Sequence, residues 1–152
     1  MAEKPTVKLP PPAIYAAAVA LGLAVEWLWP WSAFAGWPRW VIAGALAGPA
    51  LAVAGWAMLI FRRAGTAVEP WQPASHLVTH GAYRVTRNPM YLALTLLTGG
   101  AAVAADLPWV LLAVPLAVLV TDRHVIPREE AHLARVFGDA YRAYKDRVRR
   151  WL

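Results

Sequence analysis

The amino-acid sequence predicts an all-α integral membrane protein with about four transmembrane helices and a final amphipathic cytoplasmic helix. Three features of the composition carry this prediction. Hydrophobic residues make up 59% of the 152 residues. Charged residues make up 16%, against roughly 25% in soluble domains. Nine tryptophans are present, and this residue is enriched where membrane helices meet the lipid headgroups. The length predicts one membrane domain, residues 1–152.

Two N-terminal spans are predicted within residues 1–61, from about Pro12 to Trp31 and from about Trp37 to Phe61. Each run is long enough to cross a hydrocarbon core of about 30 Å, which needs about 20 helical residues. In the second run Gly44, Gly48 and Gly55 permit close packing against a neighbouring helix, because small residues let helices approach. The tryptophans near the turn between the runs, expected at headgroup level, are Trp27, Trp29, Trp31, Trp37 and Trp40.

The second part of the chain, residues 62–152, predicts a polar segment, a helical hairpin and an amphipathic helix. Glycine and proline interrupt the polar segment. The hairpin consists of apolar runs from about Pro89 to Ala105 and from about Trp109 to Ile126, with a tight turn at Asp106. From Arg128 onward, apolar residues recur at helical spacing among charged ones, which predicts a helix on the membrane surface. These apolar residues are Leu133, Phe137, Tyr141, Tyr144 and Val148.

The distribution of basic residues predicts the orientation of the chain. With a cytoplasmic amino terminus, four spans place residues 62–88 and the last helix on one side. Every Lys and Arg except Arg39 then lies in the cytoplasm, as the positive-inside rule requires. We therefore expect both termini on the cytoplasmic side of a bacterial cytoplasmic membrane. Topology and anionic lipids account for the net charge of +6, so membrane lipids, and no nucleic acid, are the expected partners.

Two polar groups of residues stand at the cytoplasmic ends of the predicted spans. Arg84 and Arg87 are either interfacial anchors or ligands for a carboxylate or phosphate. Asn88 and Pro89 fit a helix start, with the Asn side chain as the cap. The two glutamates at positions 129 and 130 suit a first helical turn. Carboxylates next to an apolar span are costly unless a cation matches them, either an arginine such as Arg87 or Arg123 or a ligand's ammonium or sulfonium group.

Metal binding is not predicted. The chain has no cysteine, which excludes disulfides and thiolate metal sites. His76 and His80 have a spacing that suits a metal only on a helix, and Pro73 and Gly81 argue against a helix there.

In their order along the chain, these segments resemble the isoprenylcysteine carboxyl methyltransferase family, which is related to the phospholipid methyltransferases. The first part of the resemblance is Gly65-Thr66 and Pro70, followed by the run from His76 to Tyr91 with its Arg-Asn-Pro-Met-Tyr end. The second part is the paired glutamates with the aromatic positions that follow, ending in Val148-x-Arg-Trp151. The resemblance covers about Arg62 to Trp151.

The resemblance implies a membrane methyltransferase that uses S-adenosyl-L-methionine and releases S-adenosyl-L-homocysteine, with residues 62–152 as its core. It implies Arg87, Asn88 and Glu129 as catalytic residues. Asn88 replaces the family's usual histidine, and an amide can be neither a charged partner nor a proton acceptor near neutral pH. The cofactor-binding residues it implies are His76, Leu77, Val78, Gly81, Tyr83, Arg87, Asn88, Pro89, Tyr91, Glu129 and Glu130.

The methyl acceptor, the general base and the oligomeric state are left open by the sequence. A lipophilic or prenylated acceptor with a carboxylate or thiolate is favoured, because such a nucleophile needs no general base. Two other hypotheses stand beside the methyltransferase. One is an NADPH-dependent enzyme like the sterol reductases. The other is a membrane scaffold without catalytic activity.

Overall fold

The computed structural model describes residues 10–65 and 76–152, and within these ranges every regular element is helical. This confirms the predicted all-α fold. Lys4 and Lys8 of the topology prediction, and Thr66 and Pro70 of the resemblance, lie outside the described residues. The elements in order are α1 (Pro11–Leu28), α2 (Pro38–Ala64), a 3₁₀ turn (Gly81–Arg84), α3 (Pro89–Ala104), α4 (Pro108–Val120), a π-helical turn (Thr121–Val125) and α5 (Ile126–Arg147).

Three of these helical stretches are long and apolar enough to cross a membrane, namely Pro11–Leu28, Pro38–Arg63 and the continuous stretch Pro108–Arg147. The fourth apolar helix, Pro89–Ala104, is shorter. At 1.5 Å per residue it measures about 24 Å, somewhat less than a hydrocarbon core. The protein is therefore an integral membrane protein, and the bundle leaves many leucines of these helices exposed.

Helix packing pairs α1 with α4 and α2 with α3, and contacts between α3 and α4 join the two pairs. The closest approach is at Gly22, where an added Cβ would collide with the Val110 backbone. The close packing that Gly44, Gly48 and Gly55 permit is not used within the described residues, because nothing lies near a Cβ placed there. Spacing identifies small residues on one face of a helix, but it does not identify which face the bundle covers.

The fourth span continues into α5 without a loop, through the π-helical turn at Thr121–Val125. The expected amphipathic pattern is present. The apolar side chains of α5 pack against protein, on the part of α2 and of residues 77–83 that holds Ala57, Ile60 and Val78. Burial of this face against protein explains the amphipathic pattern as well as burial in a membrane surface would, because periodicity does not reveal what covers an apolar stripe.

The tryptophan-rich end of the bundle, residues 26–40 with residues 106–109, is held together by Asp106. This residue forms the predicted turn with a φ of 55°. Its carboxylate accepts hydrogen bonds from Ser32 Oγ at 2.5 Å, Phe34 N at 2.8 Å and Ala33 N at 3.0 Å. These bonds, that of Ser32 first, hold the pKa of Asp106 below its usual range. The tryptophans expected at headgroup level are exposed, Trp27 by 83% and Trp37 by 75%.

Candidate active site

A cavity of about 610 Å³ lies at the opposite end of the bundle, where residues 76–91 meet α5. This volume is in the range of small-molecule sites, about 300–1,000 Å³. Most of the residues proposed for cofactor binding line it, although they come from two segments far apart in the chain. They are His76, Leu77, Val78, Tyr83, Arg87, Asn88, Tyr91, Glu129 and Glu130. The predicted juxtaposition of the two polar groups is therefore present in the structure.

Gly81 and Pro89 do not line the cavity, and each has a backbone role. Gly81 has a φ of +62°, and an added Cβ would collide with Ile60 Cδ1, so only glycine suits this turn. Pro89 is buried in the first turn of α3, where the missing N–H of proline has no helical partner to lose. These two residues shape the segment that presents its neighbours to the cavity.

Asn88 occupies the cap position of α3 but does not cap it with its side chain, so the predicted capping bond is wrong. Its side-chain Nδ2 instead donates to the carbonyl oxygen of Arg150 at 2.9 Å. Its backbone N–H donates to Thr86 Oγ1 at 3.2 Å. The amide is thus used to tie α3 to residues that follow α5, a contact that the local sequence around the helix start does not reveal.

Glu129 is paired with Tyr91 across the cavity wall. The Tyr91 hydroxyl donates to Glu129 Oε2 at 2.8 Å, which links α3 to α5. Within residues 10–65 and 76–152, no cation lies within ion-pair distance of the Glu129 carboxylate. A carboxylate held by a neutral donor at a cavity can still accept a ligand cation.

Glu130, in contrast, is surrounded by protein cations. Arg87 Nη1 lies 3.0 Å from Oε1, and both side chains are only 10% exposed. Arg150 contacts both oxygens, with Nη2 at 2.9 Å and Nε at 3.1 Å, and Lys145 Nζ lies at 3.6 Å. The hypothesis that Arg87 forms an ion pair with one of the two glutamates is confirmed for Glu130. Arg123 pairs instead with its neighbour Asp122, at 3.8 Å.

Comparison with known proteins agrees with this geometry. The family model described as phospholipid methyltransferase matches residues 38–140, which span α2 to α5 and most of the cavity wall. The chain belongs to the phospholipid methyltransferase family. A protein of Haemophilus influenzae described as uncharacterized is 49% identical over 47 residues, or 31% of this chain and 71% of that protein. No solved structure matches the chain.

This membership confirms the group of membrane methyltransferases to which the sequence was assigned. It identifies the protein as a membrane methyltransferase in general, and it leaves the isoprenylcysteine type and the methyl acceptor as proposals. Among the described residues of this methyltransferase, no three His, Asp or Glu side chains are grouped as a metal site would require.

Tyrosines form the inner wall of the methyltransferase cavity. The Tyr144 hydroxyl donates to the Tyr83 carbonyl oxygen at 2.6 Å, and Tyr83 packs edge-on against Phe61 at 5.3 Å between ring centroids. Burial, and then the charge of Glu129, raises the pKa of the Tyr83 hydroxyl above its usual range, so that it stays neutral. Tyr141 and Tyr144 are buried and line the cavity.

Several lining residues carry no signal that sequence reasoning could have used. Apolar side chains of α1, α2 and α3 look identical in sequence whether they face lipid or the cavity. Arg150 belongs to the tail motif Val148-x-Arg-Trp151, but the sequence indicates no function for it. The residues that it contacts are close only in the folded structure. The lining residues missed are Pro11, Pro12, Ala54, Met58, Phe61, Arg62, Met90, Ala93, Leu94, Leu97, Ile126, His132 and Leu133.

Proposed function

We propose that this membrane methyltransferase uses S-adenosyl-L-methionine and methylates a lipophilic acceptor that carries a carboxylate or thiolate. Members of the family generally use this cofactor. The observation that carries the proposal is the pairing of unlike charges on one cavity, with Glu129 on one wall and Arg87 on another. A zwitterionic amino-acid group, such as the one that the cofactor contains, matches such a pair.

The residues present fit the amino-acid end of the cofactor. Arg87 Nε is buried, and within the described residues it has no hydrogen-bond partner. A buried guanidinium nitrogen without a partner is costly, and a ligand carboxylate would satisfy it. Glu129 would hold the ammonium group, because its carboxylate has only a neutral donor within those residues. Glu130 is the weaker candidate for this role, since Arg87, Lys145 and Arg150 already neutralise it.

The apolar part of the wall supports an uncharged portion of the ligand and a lipophilic acceptor. Leu77 and Val78 lie beside Tyr83 and would contact the nucleoside. Ala54 and Met58 of α2 and Leu97 of α3 extend the lining along helices that span the membrane. An acceptor drawn from the bilayer would bury its apolar chain against such a surface without leaving an apolar environment.

The role of the chain in the reaction is mainly to position the two reactants. When bound, the cofactor supplies a methyl group already activated on a sulfonium. Orientation of the reactants in a closed site can contribute several kcal/mol to the barrier, about 7–11 in the best cases. The Glu130 carboxylate is already in contact with Arg87, Lys145 and Arg150, so Glu129 and His76 are the remaining candidates for a general base. An acceptor that is already anionic needs none of them.

The arrangement in the membrane is part of the proposal. The cavity lies at the end of the bundle that carries Arg62, Arg63, Arg84 and Arg128, all exposed. In keeping with the positive-inside rule, we propose that this end faces the cytoplasm, with both termini, in a bacterial cytoplasmic membrane. Because α1 and α2 also line the cavity, residues 1–152 would act as one domain and not as an anchor joined to a separate core.

The decisive experiment measures binding of S-adenosyl-L-homocysteine by calorimetry to the protein in detergent, with NADPH as the comparison ligand. We expect binding of the first and none of the second. Arg87→Ala should weaken binding about tenfold or more, because it removes a charge-assisted hydrogen bond. Arg84→Ala is the matched control, since Arg84 lies three residues earlier and is exposed.

The acceptor is identified by a second measurement. Radiolabelled methyl transfer on membranes of the source cell, followed by isolation of the labelled product, should yield a lipophilic ester or thioether. If the unmodified protein did not bind S-adenosyl-L-homocysteine, the proposed cofactor would be refuted. Equal binding by the Arg87→Ala and Arg84→Ala variants would refute the site assignment.

A further inference from the structure

The residues that follow α5 return to the start of α3 and are hydrogen-bonded to it. The Arg87 N–H donates to the Arg149 carbonyl oxygen at 2.9 Å. The Arg150 carbonyl oxygen accepts from Thr86 Oγ1 at 3.0 Å and from the Asn88 side chain at 2.9 Å. Residues 149–150 therefore hold the backbone of Arg87 and the side chains of its two neighbours, and Arg87 presents a guanidinium to the cavity.

The side chain of Arg150 joins this backbone clamp to the carboxylates of the last helical stretch. It contacts both oxygens of Glu130 and, through Nη1, Asp122 Oδ1 at 3.2 Å. Trp151 Nε1 donates to the same Asp122 oxygen at 2.9 Å. The hydrogen bonds with Glu130, and then those with Asp122, raise the pKa of Arg150 further above its usual range. Arg150 is thus a fixed cation that lies outside the cavity lining.

Occupation of Glu130 by Arg150 has a consequence for Arg87. Two parallel contacts between a guanidinium and a carboxylate are the strongest geometry for this pair, and Arg150 has that geometry. Arg87 reaches Glu130 through Nη1 at 3.0 Å, while its buried Nε has no hydrogen-bond partner within the described residues. If Arg150 were absent, Arg87 could take the two-contact geometry on Glu130 and turn its donors away from the cavity.

We propose that Arg150 is a positioning residue, which saturates the Glu130 carboxylate and thereby keeps the Arg87 guanidinium available to the carboxylate of the bound cofactor. This inference rests on the proposed function and adds a determinant of cofactor affinity outside the cavity. Lys145 cannot replace Arg150, because its single ammonium is half exposed and stands 3.6 Å from Glu130.

The test compares two ligands, S-adenosyl-L-homocysteine and 5′-methylthioadenosine, which has the nucleoside and thioether but no amino-acid group. Arg150→Ala should weaken binding of the first about tenfold, the loss of one charge-assisted hydrogen bond. It should change binding of the second less than about twofold, because Arg87 has no carboxylate to contact there. Arg149→Ala is the matched control, since its side chain is exposed and its backbone carbonyl remains. It should leave both affinities unchanged.

Two further variants separate positioning from a general structural role. Arg150→Lys should give an intermediate affinity, because lysine supplies the charge without the two-contact geometry. Adding Glu130→Gln to Arg150→Ala should restore part of the lost affinity, since Arg87 then has no carboxylate with which to form the two-contact ion pair. Such non-additivity of two substitutions indicates that the residues are coupled.

The outcomes distinguish the inference from the proposed function. Equal losses for both ligands in Arg150→Ala, no loss for either, or no recovery in the double variant would overturn the positioning role while leaving the cofactor proposal intact. Failure of the unmodified protein to bind S-adenosyl-L-homocysteine would overturn the proposed function and the positioning role together.

Discussion

The two ends of the bundle each use a carboxylate to connect segments distant in sequence, and they differ in how completely that carboxylate is satisfied. At the tryptophan-rich end, Asp106 accepts three hydrogen bonds from the connection between α1 and α2. At the cavity end, Glu129 accepts from the Tyr91 hydroxyl. A carboxylate saturated by protein donors holds a loop, whereas one with remaining acceptor capacity on a cavity can hold a ligand. The difference is consistent with a structural role at one end and with the ligand binding that we propose at the other.

The cavity end also contains its own example of a saturated carboxylate. Glu130 follows Glu129 directly, yet its partners are Arg87, Lys145 and Arg150. Within one helical turn, therefore, one glutamate is held by protein cations, and its neighbour is the one that we propose for the ligand. Location in a cavity is not enough to identify a ligand-binding carboxylate, and the count of its protein partners is the better guide.

The largest effect on binding is expected from Glu129→Gln. The amide keeps an acceptor for the Tyr91 hydroxyl but loses the charge that would pair with the ligand ammonium. Removal of one partner of a desolvated charge pair costs about 2–5 kcal/mol, so the affinity for S-adenosyl-L-homocysteine should fall at least about thirtyfold in calorimetry. Asp146→Asn, an exposed position on the same helix, is the control. An unchanged affinity in Glu129→Gln would remove the functional contrast between the two ends.

Asp106→Asn is expected to lower the stability of the protein and to leave its ligand affinity unchanged. This change weakens the connection between the α1–α2 loop and the α3–α4 turn, because the amide accepts fewer and weaker hydrogen bonds than the carboxylate. The unfolding temperature in detergent should fall by a few degrees, while ligand affinity stays unchanged. A loss of affinity as large as that of Glu129→Gln would show that the two ends are coupled.

Acid should abolish this stabilisation. Hydrogen bonds lower the pKa of Asp106 in the folded protein, so its contribution is fully present above the unfolded pKa, about 3.9, and is lost as the pH falls through the folded pKa. Melting curves of the unmodified protein and of Asp106→Asn should therefore differ at pH 6 and converge toward pH 3. A constant difference across this range would mean that the charge of Asp106 has no part in the stabilisation.

Much of the contrast between the two ends of the bundle could be predicted from the sequence. The proline and apolar run at Pro89 predicted the start of α3, and the exposed tryptophans mark the opposite end as expected. What the sequence could not supply is the partner of each polar group. Glu129 meets Tyr91 only because α3 packs beside α5, and the Asn88 amide prefers the distant Arg150 carbonyl to its own helix.

The apolar face of α5 illustrates the same limit for packing. Its helical period was predicted correctly, but the period does not identify the protein surface against which the face packs. A membrane and the α2 wall offer comparable apolar contact, and the choice between them depends on the direction in which α5 runs, including the kink at Gly138, where φ is 53°. A period of 3.6 residues contains no information about that direction.

The smallest effect is expected from Tyr91→Phe, which tests whether Glu129 needs its protein donor. The hydroxyl donates at 2.8 Å to a carboxylate whose charge remains after the change. A ligand ammonium or water can occupy the freed acceptor site, so the affinity for S-adenosyl-L-homocysteine should fall only about threefold, the scale of one hydrogen bond. Tyr15→Phe is the control, because the Tyr15 hydroxyl bonds to Thr95 at 2.6 Å away from the cavity lining and should affect stability alone. If Tyr91→Phe lost as much affinity as Glu129→Gln, the Tyr91 hydroxyl itself would contact the ligand. Ligand binding at the cavity end would then depend on a neutral hydrogen-bond donor as strongly as on the charge of Glu129.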